Sequence, residues 1–170
     1  VTNQIGYKLP ALFRQRRGLG HTVTETLFGD DTESDALIYA LYSHSLAGQI
    51  DEADVARVMA AMDTPRQTID STLEALRSTR EGQVVEHVFI RIHKGLPIQC
   101  YDKLGKTIIP VFSWFQAALI LHMSNRLNAT GVKHTLDACI QSGSMAPHQF
   151  EWLIQDLIRR GLLDGKQAME

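Results

Sequence analysis

Cysteine is scarce: Cys100 and Cys139 are the two thiols in 170 residues. They form no CxxC pair, which excludes a disulfide framework and a zinc ribbon and fits a reducing compartment. Proline, at 5, and glycine, at 12, are too few for collagen-like or linker-like material. Positive charge is not in excess either, since 17 Lys and Arg face 19 Asp and Glu for a net charge of −2. A bulk electrostatic hold on nucleic acid is thereby excluded, and any such contact must come from local patches. No apolar run reaches membrane-spanning length, because the longest, residues 108–123, is interrupted by Pro110, Ser113, Gln116 and His122. Residues 1–4 show no signal-peptide core. The chain, without an initiator methionine, reads as a processed cytoplasmic protein with no membrane partner. GxSxG, HExxH, P-loop and GxGxxG patterns are all missing, so neither an enzyme nor a cofactor is expected.

What is present is the composition of an ordinary globular protein, 44% hydrophobic and 21% charged. The length suits one domain or two small ones and allows a real core. Charge is patterned along it. Residues 1–30 carry a net +2, residues 31–63 a net −6, and residues 83–110 a net +2. Gly6, Pro10, Gly18, Gly20 and Gly29 punctuate residues 1–30, which are read as an irregular basic arm with a turn of helix near residues 9–13. Its FRQRRG run, residues 13–18, is the most basic stretch of the chain.

Helical periodicity begins at Asp35. Leu37, Ile38, Leu41 and Tyr42 form an apolar stripe, capped by Ser34 or Thr32 and ended by Gly48. A second helix is expected after Asp51 as N-cap, with Val55, Val58 and Met59 as its stripe. A third is expected from Thr64-Pro65, threonine as cap and proline at the first helical position. Ile69, Thr72, Leu73 and Leu76 share its inner face. After Gly82 the period changes to two. Glu86, Val88 and Ile90 face one way and His87, Phe89 and Arg91 the other. His93-Lys94-Gly95 reads as a turn and residues 96–101 as a return strand, placed at an edge by Pro97. Helices are then expected at residues 111–127 and 132–140 and after Pro147, with a break at Thr130-Gly131.

Three helices, the third opened by proline, followed by a hairpin, resemble the winged helix-turn-helix superfamily. The resemblance is carried by Thr64-Pro65-Arg66-Gln67-Thr68-Ile69 and the run on to Gly82 and Val84-Val85. It implies a mainly α fold with a small β wing, and a recognition helix that enters the major groove of double-stranded DNA. Arg66, Gln67, Thr68 and Arg77 would act there, because arginine suits guanine and glutamine suits adenine through paired hydrogen bonds. Arg91, His93 and Lys94 would act from the wing, and Arg14, Arg16 and Arg17 from the arm in an adjacent minor groove. An offset of 82 aligns Ala36-Leu37-Ile38 with 118–120, Pro65 and Gln67 with 147 and 149, and Arg77 with 159. It suggests a second unit in tandem. The expected division is an arm at 1–30, a winged-helix domain at 31–107 and a second helical unit at 108–170.

Two functions of different class are open at this point. One is a bacterial-type DNA-binding regulator or accessory factor, expected to be a homodimer because one small unit reads few base pairs. The other is a winged-helix scaffold that makes protein–protein contacts in a larger assembly, favoured by the acidic second helix and by Asp70 and Glu74 on the third. Trp114, Phe115 and Trp152 read as core of the second unit or as interface anchors. His87, His93 and Cys100 make a poor metal set without a fourth ligand, so no metal is expected. Cys139 reads as a core thiol.

Overall fold

The computed structural model describes residues 4–79, 82–93, 95 and 97–164. It is mainly helical with a three-stranded sheet, and it divides into two units, residues 1–110 and 111–170.

The irregular arm expected at residues 1–30 is replaced by two ordered elements. Ile5, Leu9 and Phe13 recur at helical spacing and build α1 (Ile5–Arg16), with all three buried in the core. Pro10 lies inside this helix. A helix-interior proline costs about 3 kcal/mol, whereas each large apolar side chain buried returns about 1.5–3 kcal/mol, so the stripe outweighs the breaker. The chain then forms β1 (Glu25–Asp30).

The helices α2 (Asp35–Leu46), α3 (Glu52–Ala61) and α4 (Arg66–Arg77) follow. α2 buries Ile38, Leu41 and Tyr42, and Gly48 takes φ 68° just after it. Asp51 caps α3 by accepting the Asp54 amide at 2.8 Å. α4 starts one residue later than the sequence pattern suggests: Pro65 precedes the first helical residue and Thr64 is buried.

The strand β2 (Val85–Arg91) is central in the order β1-β2-β3 and runs parallel to β1, with Leu27 opposite Val88 and Asp30 opposite Arg91. Val88, Phe89 and Ile90 are all buried, so both faces of the strand are covered. The expected hairpin is not formed. Residues 98–100 and 102–104 are 3-10 turns, and the third strand is β3 (Ile108–Val111), which holds β2 through the Val88 amide and the Thr107 carbonyl at 2.8 Å. Pro97 precedes the first turn and cannot donate to a ladder. Gly105 follows the second at φ 100°, pressed against the His44 ring, whose Nε2 lies 2.8 Å from the Leu104 carbonyl.

The outer edge of β1 is plugged by α2. The Tyr39 hydroxyl donates to the Phe28 carbonyl at 3.1 Å, and Asp35 accepts the Asp30 amide at 3.4 Å. Gly29 makes this approach possible, since a Cβ there would lie 2.7 Å from Asp35 Cβ.

The most deeply enclosed charged group described in this core is Arg16. Arg16 is 0% exposed; it donates to the Val23 carbonyl at 2.8 Å and lies 3.5 Å from the Glu25 carboxylate. Tyr42 completes the set, donating to Glu25 at 2.9 Å while its ring packs on Phe13.

In the second unit, α5 (Trp114–Met123), α6 (Ala129–Gln141) and α7 (Phe150–Arg159) surround Phe115, Cys139, Met145 and Leu153. The break expected at Thr130-Gly131 lies within α6, where Asn128 accepts the Gly131 amide and Gly131 admits the Leu127 side chain. Gln116, fully buried, accepts the Phe112 amide and donates to the Leu153 carbonyl and to Asp156, itself held by Arg159 and Arg160.

Arg16→Met should lower stability in urea unfolding by about 3–5 kcal/mol, the range for leaving one member of a buried ion pair alone. The exposed Arg14→Met should stay within about 0.5 kcal/mol. Gly29→Ala should cost about 1–3 kcal/mol through the clash with Asp35 and Tyr39.

Candidate functional site

The residues expected to meet DNA divide among different surroundings. On α4 the leading turn is open to solvent. Arg66 keeps 85% of its side chain exposed, Gln67 is exposed and Thr68 is half-buried. The inner face of the same helix buries Ile69, Thr72, Ala75 and Leu76, which fixes the outward direction of the polar one. Yet the cations there are matched. Arg66 lies 3.1 Å from Asp70 one turn on, and Arg77 donates to Glu52 of α3 at 2.7 Å. The hydrogen bond from Arg77 to Glu52 raises the guanidinium's already high pKa further.

The FRQRRG run is split by its own helix. Arg14 and Arg17 are exposed, and Arg17 donates to the Ser78 hydroxyl at 2.6 Å, beyond the last turn of α4. Arg16 points inward and is walled off from solvent, which corrects its assignment to an accessible arm. Arg91 and His93 stand at the other end of the sheet from this contact. β2 starts soon after α4 ends, and Arg91 closes it, about 20 Å further along at about 3.3 Å per residue. Arg91 is half-buried, with its carbonyl accepting the Asp31 amide, and the exposed His93 donates its own amide to the Asp31 carboxylate at 2.7 Å. Lys94 lies outside the described residues. Arg16 is thus removed from any accessible basic surface, and Arg17 and Arg91 lie toward opposite ends of the sheet.

A charged cluster that the sequence reading does not single out joins α1 to the β1–α2 turn. The Lys8 ammonium donates to Asp35 at 2.5 Å and to Glu33 at 2.7 Å. Burial alone would lower its pKa, but these two hydrogen bonds and the charges behind them outweigh it and hold it well above the ordinary lysine range. Glu33 is correspondingly held low by hydrogen bonds from Lys8 and Gln4, and Asp30 by the Thr32 hydroxyl.

In the second unit Phe115 is buried, Trp114 half-buried and Trp152 exposed, with the Trp152 ring 5.0 Å from Phe112. α5, α6 and α7 also leave an open cavity of about 350 Å³ between them. Its signal in the sequence is the pairs Leu119–Met123 and Val132–Leu136, each spaced by one helical turn. Among the described residues no three metal-ligating side chains gather, and no helix is long and apolar enough to cross a membrane. No protein-family model, curated protein or solved structure matches this chain.

The low pKa values of Glu33 and Asp30 set an acid limb on stability. Their folded carboxyls ionise below the unfolded values of 4.5 and 3.8, so the unfolded chain binds more protons through that range. The stabilisation they contribute is complete above pH 4.5 and is lost as pH falls through the folded values. Urea midpoints should drop between about pH 7 and about pH 3. Lys8→Met should lower the neutral midpoint and shrink that drop.

Proposed function

We propose that the chain is a non-enzymatic adaptor acting through protein–protein contacts, with a winged-helix-like first unit. The observation that carries this reading is the pairing of both α4 arginines with neighbouring carboxylates, Arg66 with Asp70 and Arg77 with Glu52. Glu52 and Asp54 follow the Asp51 cap in the first turn of α3 and pair with Arg77 and Arg57, so the surface around α4 is charge-balanced rather than basic. Such a face does not attract a polyanion at range and suits a protein partner of mixed charge. Tyr7 on α1 and Trp152 on α7 are exposed aromatic side chains of the kind that anchor protein interfaces. A second copy of the chain is one such partner. The order α2, α3, α4, β2, β3 supports the winged-helix-like reading, with the wing opened into 3-10 turns. Pro147 and the turn leading into α7 support a related three-helix second unit.

Duplex DNA is the second reading, favoured by the open leading turn of α4, where Arg66 and Gln67 face solvent. Exposed ion pairs contribute about 0–1 kcal/mol, so a phosphate or a base edge can displace Asp70 from Arg66.

Fluorescence anisotropy of random duplex DNA at about 50 and about 200 mM salt separates the two readings, because each phosphate contact adds to the salt slope. The adaptor reading expects no salt-steep binding. Binding that weakens steeply with salt, and that Arg66→Ala and Gln67→Ala reduce, would overturn it.

A further inference from the structure

The adaptor reading leaves the chemistry of the partner open, and the outer face of α1 narrows it. Residues 1–24 contain no Asp or Glu, so a cation there meets a carboxylate only if another element supplies one. Elsewhere the exposed arginines are matched: Arg57, Arg66, Arg77 and Arg159 each lie 2.7–3.1 Å from a carboxylate. Arg14 and Arg17 are exposed as well, yet neither has a carboxylate within ion-pair distance among the described residues.

The two guanidiniums are also neighbours. They stand at i and i+3, and Arg17 keeps helical backbone angles as the cap of α1, so like charges sit side by side and repel until an anion covers them. Arg17 is oriented by a neutral group: its Nε donates to the Ser78 hydroxyl at 2.6 Å. A guanidinium has five N–H donors, so its terminal nitrogens remain for a bidentate carboxylate. The inner stripe of Ile5, Leu9 and Phe13 is buried, which turns positions 7, 11 and 14 outward in one line at i, i+4 and i+7. Tyr7, 76% exposed, heads that line, Ala11 leaves a shallow step, and Arg14 closes it. Tyrosine and arginine are the side chains that most often dominate a protein interface. Two free cations are few beside the roughly six to ten phosphate contacts of a protein held on duplex DNA by its backbone, and the matched arginines of α4 add no net positive charge to them.

We infer that the outer face of α1 docks an acidic segment of a partner protein, with carboxylates on Arg14 and Arg17 and an apolar side chain against Tyr7. The inference rests on the adaptor reading and names the charge and the surface that this reading leaves open.

Fluorescence anisotropy of the full chain tests it, with a labelled peptide of Glu-Glu-Leu repeats and a neutral peptide of Gln-Gln-Leu repeats as probes. The acidic peptide should bind about fivefold tighter, the worth of two exposed ion pairs. Arg14→Glu combined with Arg17→Glu should remove that preference, and Tyr7→Ala should weaken the acidic peptide about fivefold. All three positions are exposed, so thermal unfolding should be unchanged. Arg57→Glu, on α3, should leave the binding as it is. If the double variant does not fold, Arg14→Gln carries the test with a loss of about twofold. No binding of the acidic peptide, equal affinity for the two peptides, or a preference that survives the substitutions overturns the inference and leaves the adaptor reading standing. A dimer in sedimentation that the double variant dissociates would assign the face to a second copy of the chain and overturn the inference. Failure of the adaptor reading has a different signature, salt-steep DNA binding that depends on Arg66 and Gln67.

Discussion

A guanidinium sealed from water is the constraint around which the first unit is organised. Arg16 reaches the Val23 carbonyl and the Glu25 carboxylate, and Tyr42 bonds the same carboxylate. Removing such an ion from water costs several kcal/mol, recovered only when its partners are held in place. Four parts of the chain meet that condition together: the end of α1, the turn behind it, the start of β1 and the middle of α2. Burial of Phe13 and Tyr42 against each other keeps the site dry. The second unit uses the same logic with a neutral group at its centre, since Gln116 links the Phe112 amide, the Leu153 carbonyl and Asp156.

Much of the helical layout is legible in local signals. Asp51 as a cap, Gly48 as a stop and the stripe of α2 need no knowledge of the rest of the chain. α1 is harder to see because Gly6 and Pro10 act as breakers in isolation, while the burial that overrides them depends on distant partners. Once the stripe Ile5, Leu9, Phe13 is recognised, the arginines sort themselves: Arg16 continues that face inward, and Arg14 and Arg17 fall outside it. The parallel pairing of β1 with β2 has no local signature, because the two strands are joined through three helices and their register is set by what covers them. The expected return strand gives way to turns for a similar reason. Residues 96–101 alternate well enough for a strand, but Pro97 and the packing of Gly105 on His44 bend the chain into turns first.

The candidate site was legible in part. Exposure of Arg66 and Gln67 follows from the inner face of α4. The neutralisation of Arg77 does not, because Glu52 lies 25 positions away in sequence. Spacing alone therefore overstates the positive character of α4: one partner, Asp70, is local and visible, whereas the other comes with the folding of α3 against it. The cavity of the second unit stands in the same relation to its sequence, with its stripes visible and its opening not.

The plugging of β1 by Tyr39 and Asp35 has a consequence for how this molecule can associate. A bare strand edge is a template on which further chains can add by backbone pairing. Here the outward carbonyl of Phe28 and the amide of Asp30 are already engaged by α2, so growth of the sheet from that side is blocked. Assemblies containing this chain must join through side-chain surfaces there, which confines recognition to shape and charge and keeps it from spreading into open-ended stacking.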